Sequence, residues 1–159
     1  GTPLYDCILL AYAQELRQRP AERNALIVIS DGIDNQVHGT GAASEVEIGK
    51  LVKAVEAMNA LIYPVFLDPF TKIPAPGWAK RAKRNLEALA GASGGRLFVA
   101  QSIRDLDPVY PEVAKELRSL YTVAYYPKNQ NFDGSWRTVE VRVRRPGAKV
   151  RTRTGYFAR

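Results

Sequence analysis

The 159-residue chain carries 46% hydrophobic and 25% charged residues, an ordinary balance for one domain that buries roughly two-thirds of its unfolded surface. No apolar run approaches the ~20 residues of a membrane-spanning helix, and one cysteine, Cys7, excludes an internal disulfide and a cysteine-rich zinc site. The net charge of +7 gathers at the carboxyl end, where Arg137, Arg142, Arg144, Arg145, Lys149, Arg151, Arg153 and Arg159 face the lone acid Glu140.

That basic stretch permits contact with phosphates or an anionic polymer, although strands by default place long cations on their wet face. The chain opens at Gly1-Thr2-Pro3 with neither an initiator methionine nor a basic-then-apolar leader, and is read as a mature, trimmed or truncated start.

Thr2-Pro3 opens the first helix, Thr2 being a good N-cap and Pro3 suited to the first helical position. Leu4, Ile8, Ala11, Tyr12 and Leu16 follow at helical spacing, so this helix is expected to reach about Gln18. Cys7 on it reads as a small buried apolar residue. Residues 20–24 lead into Ala25-Leu26-Ile27-Val28-Ile29-Ser30-Asp31-Gly32-Ile33-Asp34-Asn35. Its aliphatic run suits a strand buried on both faces of a parallel sheet. Asp31 then falls outside the strand's carboxyl end, where open α/β sheets bind their ligands. Residues 31–41 form a polar loop holding the sole histidine, His38, read as solvent-exposed. A second helix over 44–59 starts with Ser44 and Glu47 spaced as a capping box.

Leu61-Ile62-Tyr63-Pro64-Val65-Phe66-Leu67-Asp68 repeats the pattern of an apolar strand ended by an acid, with Pro64 hinting at an edge or a bulge. Asp68 reads as a turn former before Pro69. A third helix over 78–92, basic at its start, ends at Gly94-Gly95. Residues 96–100 form a third strand, and a helix over 103–120 is interrupted near Pro108 or Pro111. Alternating strands and helices predict an α/β fold with a mostly parallel sheet. Residues 121–126, 137–144 and 149–154 then read as three strands of an antiparallel meander. The expected organisation is an α/β portion over 1–120 with an antiparallel extension over 121–159, packed on or continuing the same sheet.

Enzyme classes leave little trace. The chain has no Gly-x-Ser-x-Gly elbow, phosphate loop, His-Glu-x-x-His pair or Gly-x-Gly-x-x-Gly fingerprint. A metal hydrolase using Asp31 and Asp34 is one alternative. A basic surface for nucleic acid or another polyanion is a second, with charge alone behind it and no recognition-helix motif or aromatic platform. Thr2 is equally readable as a helix cap and Asp31 as an Asx turn before Gly32.

The order of these motifs carries a family resemblance. Gly1-Thr2-Pro3-Leu4-Tyr5-Asp6 opening a helix, followed by Leu26-Ile27-Val28-Ile29-Ser30-Asp31-Gly32, resembles the second half of a von Willebrand factor type A domain. Tyr121-Thr122-Val123-Ala124-Tyr125-Tyr126-Pro127 and the closing Arg153-Thr154-Gly155-Tyr156-Phe157 are similar to the bacterial, notably acidobacterial, type A domains with a carboxyl-terminal strand extension. The resemblance implies a Rossmann-like sheet flanked by helices. It also implies a metal-ion-dependent adhesion site, made from an Asp-x-Ser-x-Ser loop, a threonine and a further aspartate. Carried over by position, Thr2 is the threonine and Asp31 the aspartate; Asp34 reads either as a turn residue or as one supporting them from behind.

No aspartate here begins Asp-x-Ser-x-Ser. Asp133-Gly134-Ser135-Trp136-Arg137 comes nearest, lacking the second serine and lying in an expected hairpin turn, so the segment with the first strands is expected upstream. The implied ion is Mg2+, with Mn2+ or Ca2+ as alternatives, since hard cations take about six oxygen ligands. Two ligands imply weak binding or an empty site. The implied role is non-enzymatic adhesion outside the cytoplasm (periplasmic, secreted or at the surface), through a protein partner that supplies an acidic residue. Absent first strands would leave a sheet edge open to self-association.

Overall fold

The computed structural model describes residues 2–19, 24–34, 43–68, 70, 73–148 and 150–158; His38 lies outside them. Helix α1 (Leu4–Ala11) runs into a π-helical turn, Tyr12–Leu16. Strand β1 (Asn24–Ser30), helix α2 (Ile48–Ala57), strand β2 (Ala60–Leu67), helix α3 (Gly77–Ser93) and strand β3 (Phe98–Ala100) follow in alternation. A 3-10 turn at Ile103–Leu106 precedes helix α4 (Val109–Arg118), and the break between them falls at Pro108, as proline's missing donor requires.

The three strands form a parallel sheet in the order β1-β2-β3, with Asn24 opposite Ala60 and Val65 opposite Phe98. Side chains alternate across it. Ile62 and Phe66 enter one core with Leu4, Tyr5 and Ile8 of α1, Leu51 and Val55 of α2, and Ala82, Leu86 and Leu89 of α3. Tyr63 and Val65 enter a smaller core on the other face with Ala100, Val109 and Val113. Helices therefore cover both faces of the sheet.

Several expectations need correction. β1 is not buried on both faces: among the described strands it pairs on one side only, most of it is half-buried, and Ile29 is 44% exposed. The strand with neighbours on both sides is β2, and it contains Pro64. Ile62 N–H donates to Ser93 Oγ and Asp68 N–H to the Ala100 carbonyl, so the even-numbered amides face the β3 side. The ladder with β3 begins only at Val65, which leaves the amide missing at Pro64 without a strand to bond. Gly95 fits because a Cβ there would stand 2.0 Å from the Ile62 carbonyl oxygen. The second helix starts at Ile48, not Ser44, and no side chain caps it locally.

The antiparallel meander shrinks to two short strands, β4 (Trp136–Thr138) and β5 (Gly155–Phe157), in a sheet of their own. One further bond, Val139 N–H to the Thr154 carbonyl at 2.8 Å, prolongs the ribbon. Residues 121–126 form no strand, and Tyr121 is 92% exposed. Alternation supplies a strand only where a layer stands ready to bury its dry face. Val141, Val143 and Val150 remain exposed, so among the described residues no layer buries them.

Candidate functional site

Asp31 and Asp34 follow β1 at the carboxyl edge of the parallel sheet. β1 ends at Ser30, whose hydroxyl accepts the Gly32 amide at 3.0 Å, and Asp31 Oδ1 accepts the Ile33 amide at 3.1 Å. The Asx turn foreseen for Asp31 is therefore present, and its carboxylate stands exposed. Gly32 has φ 71°, and a Cβ there would lie 3.0 Å from Ala82 Cβ, so the chain passes closely over α3.

Two residues later the chain turns inward. Asp34 is fully buried and accepts the Ser44 hydroxyl at 2.5 Å, the Ser44 amide at 3.2 Å and the Tyr5 amide at 3.4 Å. Ser44 Oγ in turn accepts the amides of Tyr5 at 3.0 Å and Asp6 at 3.2 Å. These are amides of the first helical turn, which has no partner within its own helix. The start of α1 is therefore capped across the fold by Ser44. Thr2, expected as N-cap, does not fill that role: Pro3 stands there, with no side-chain cap bond.

Side-chain bonds also run the other way. Asp6 Oδ2 and Oδ1 accept the amides of Glu45 at 2.8 Å and Val46 at 3.1 Å, immediately ahead of α2. A buried carboxylate such as that of Asp34 is costly unless hydrogen-bonded, and the Ser44 hydroxyl and amide meet that need. The Tyr5 phenol accepts Asn85 Nδ2–H at 2.9 Å. Burial pushes its pKa up, the Asn85 bond draws it down and the Asp34 charge raises it further, leaving it above the usual range.

The clamp ties the loop after β1 to the start of α1, with Asp31 three residues from one anchor and Thr2 three from the other. Both side chains are exposed. A carboxylate and a hydroxyl are the donor types a hard cation takes, yet two oxygens fall short of six. Among the described residues, no group of three or more His, Cys, Asp or Glu side chains is placed to hold a metal. Asp34 lies behind the edge rather than on it, so Asp31 and Asp34 differ sharply in access to solvent.

The remaining candidates resolve into local structure. Asp68 Oδ1 accepts the Phe70 amide at 3.0 Å, the turn anticipated for it. Asp133 Oδ1 accepts the Ser135 amide at 2.9 Å and hydroxyl at 2.6 Å, bonds that hold its carboxyl below the ordinary range. That near-match to the serine-rich loop is thus a tight turn. Cys7, expected inside, is exposed. Sequence reasoning missed the partnership of Asp6 and Ser44, because the local Ser44–Glu47 spacing masks a bond made 38 residues away.

A second polar cluster lies on the α4 side of the sheet. Arg96 pairs with Glu112 and, at 2.6 Å, with Glu116, which also takes Arg151 at 2.7 Å. The Arg96 guanidinium sits 4.1 Å from the centre of the Phe98 ring. Neighbouring Tyr63 is pushed up to about 12, by burial first and then by Glu116. No family model, curated protein or solved structure matches the chain.

Proposed function

We propose that this chain is a non-enzymatic protein-interaction module of the von Willebrand factor type A kind, with Thr2 and Asp31 contributing to a divalent-cation site that grips an acidic residue of a partner. The observation carrying this reading is the clamp of Asp34, Ser44 and the Tyr5 amide, which holds two otherwise separate segments at one sheet edge while Thr2 and Asp31 face solvent. The parallel α/β layering supports it, because such sheets bind ligands at their carboxyl edge. The side of β1 that pairs with no strand among the described residues supports it too. A further parallel strand there would end beside Asp31 and supply the missing oxygens. The ion would hold the partner's carboxylate by charge neutralisation, and no proton transfer is required. In this reading the module works outside the cytoplasm, as the resemblance implies.

The test is calorimetric titration of Mn2+ and Mg2+ into the chain and into a version extended upstream, with Asp31→Ala and Thr2→Ala as controls. Heat of binding in the extended protein, abolished by Asp31→Ala and weakened by Thr2→Ala, is the expected result. Absence of binding in both proteins would remove the adhesion-site mechanism.

A further inference from the structure

We propose that the first two turns of α3 form a cationic rim beside this edge, and that the rim receives an acidic peptide segment with several neighbouring carboxylates rather than one isolated acid. The location rests on the reading above; the rim and the multiplicity of the partner's charges go beyond it.

The charge order of α3 is the first ground. Lys80, Arg81, Lys83 and Arg84 occupy its opening turns with no acid in the first turn, and Glu87 is the helix's sole acidic residue. Cations at the positive end of a helix dipole cost stability. A local rule broken without evident compensation is expected where function requires it. Lys80, Arg81 and Arg84 are exposed, and among the described residues none of the four basic side chains is in an ion pair. Three of the carboxyl-terminal cations differ. Arg142 is held by Glu140, Arg151 by Glu116, and Arg137 by the carbonyls of Asn129 and Asn131.

The placement of α3 is the second ground. It passes under Gly32, next to Asp31, through Ala82 and Leu86, and reaches the start of α1 through Asn85 and the Tyr5 hydroxyl. Arg81 stands one turn before Asn85 on the same flank, toward the carboxyl edge. Lys80 and Arg84 are also one turn apart, about 6 Å between Cβ atoms, close to the ~6.6 Å between alternate side chains of an extended peptide. The aromatic ring in these turns, Trp78, is half-buried and already set edge-on against Phe70, with centroids 5.4 Å apart, which favours carboxylates over the stacked bases of single-stranded nucleic acid.

A fluorescein-labelled Glu-rich peptide, followed by anisotropy at low salt with and without Mg2+, tests this. The double variant Arg81→Glu/Arg84→Glu should bind about tenfold more weakly or worse, and Arg144→Glu/Arg145→Glu within about twofold of the parent. Reversal at the helix start should also leave the melting temperature unchanged or raise it, so lost binding will not be lost folding. Undiminished affinity in the α3 variant overturns the rim, as does an oligothymidylate of equal charge competing as well as the peptide. If binding needs α3 but survives chelation and Asp31→Ala, the rim stands and the metal reading falls. If Mg2+ dependence persists while the α3 variant binds normally, the reverse holds.

Discussion

The carboxyl edge of the parallel sheet and the carboxyl-terminal ribbon have comparably clear sequence patterns, yet only one becomes tightly built. At the edge, Asp34, Ser44 and Asp6 exchange bonds across some forty positions, and the aliphatic residues beside them enter a core shared by three helices. In the ribbon, Val141 and Val143 stay exposed, and only three residue pairs are in strand register. Periodicity states which face a segment wishes to bury; a second element must be present to bury it.

The contrast can be broken most strongly in the core. Leu51 is 0% exposed, and Leu51→Ala should cost about 2–5 kcal/mol through lost transfer energy and a residual cavity, read as a lower urea midpoint at unchanged slope. Next comes the clamp. Asp34→Ala strands the hydroxyl and the amide of Ser44, with an expected cost of about 1–3 kcal/mol, measured the same way.

Tyr63 supplies an alkaline test on the other face. Its phenol is pushed up to about 12 by burial and then by Glu116, against about 10 for an unfolded tyrosine. The folded chain therefore keeps a proton the unfolded chain has lost, so stability from this group is intact below about pH 10 and falls as pH rises toward 12. Denaturant melts across that window should show the decline, and Tyr63→Phe should flatten it. The smallest effect belongs to the ribbon: Tyr121→Ser, at a residue 92% exposed, should stay within about 0.5 kcal/mol. A larger loss there would mean that 121–126 is packed in solution and would erase the contrast.

Much of the α/β half was legible. The apolar runs at 25–30 and 61–67, the helix over 78–92 and its glycine stop all correspond to observed elements, with Gly94 at φ 83° as a left-handed cap. Strand order was not legible, because Leu26–Ile29 reads equally well at an edge or a centre, and Pro64 misled until the late start of β3 explained it. Of the site, the positions of Asp31 and Asp34 after the strand were readable. Their division into an exposed and a buried carboxylate was not, since it depends on Ser44 returning from a distant loop.

The bonds exchanged between the start of α1 and residues 44–46 have a dynamic consequence. Ser44 holds the first amides of α1, and Asp6 holds two amides of the segment that leads into α2. Opening the start of α1 should therefore release that segment as well, and the amide hydrogens of Tyr5, Asp6, Glu45 and Val46 are expected to exchange with solvent more slowly than the near-zero protection usual for helix ends. A ligand settling on this edge would thus meet a surface already stiffened, with little conformational entropy left to surrender.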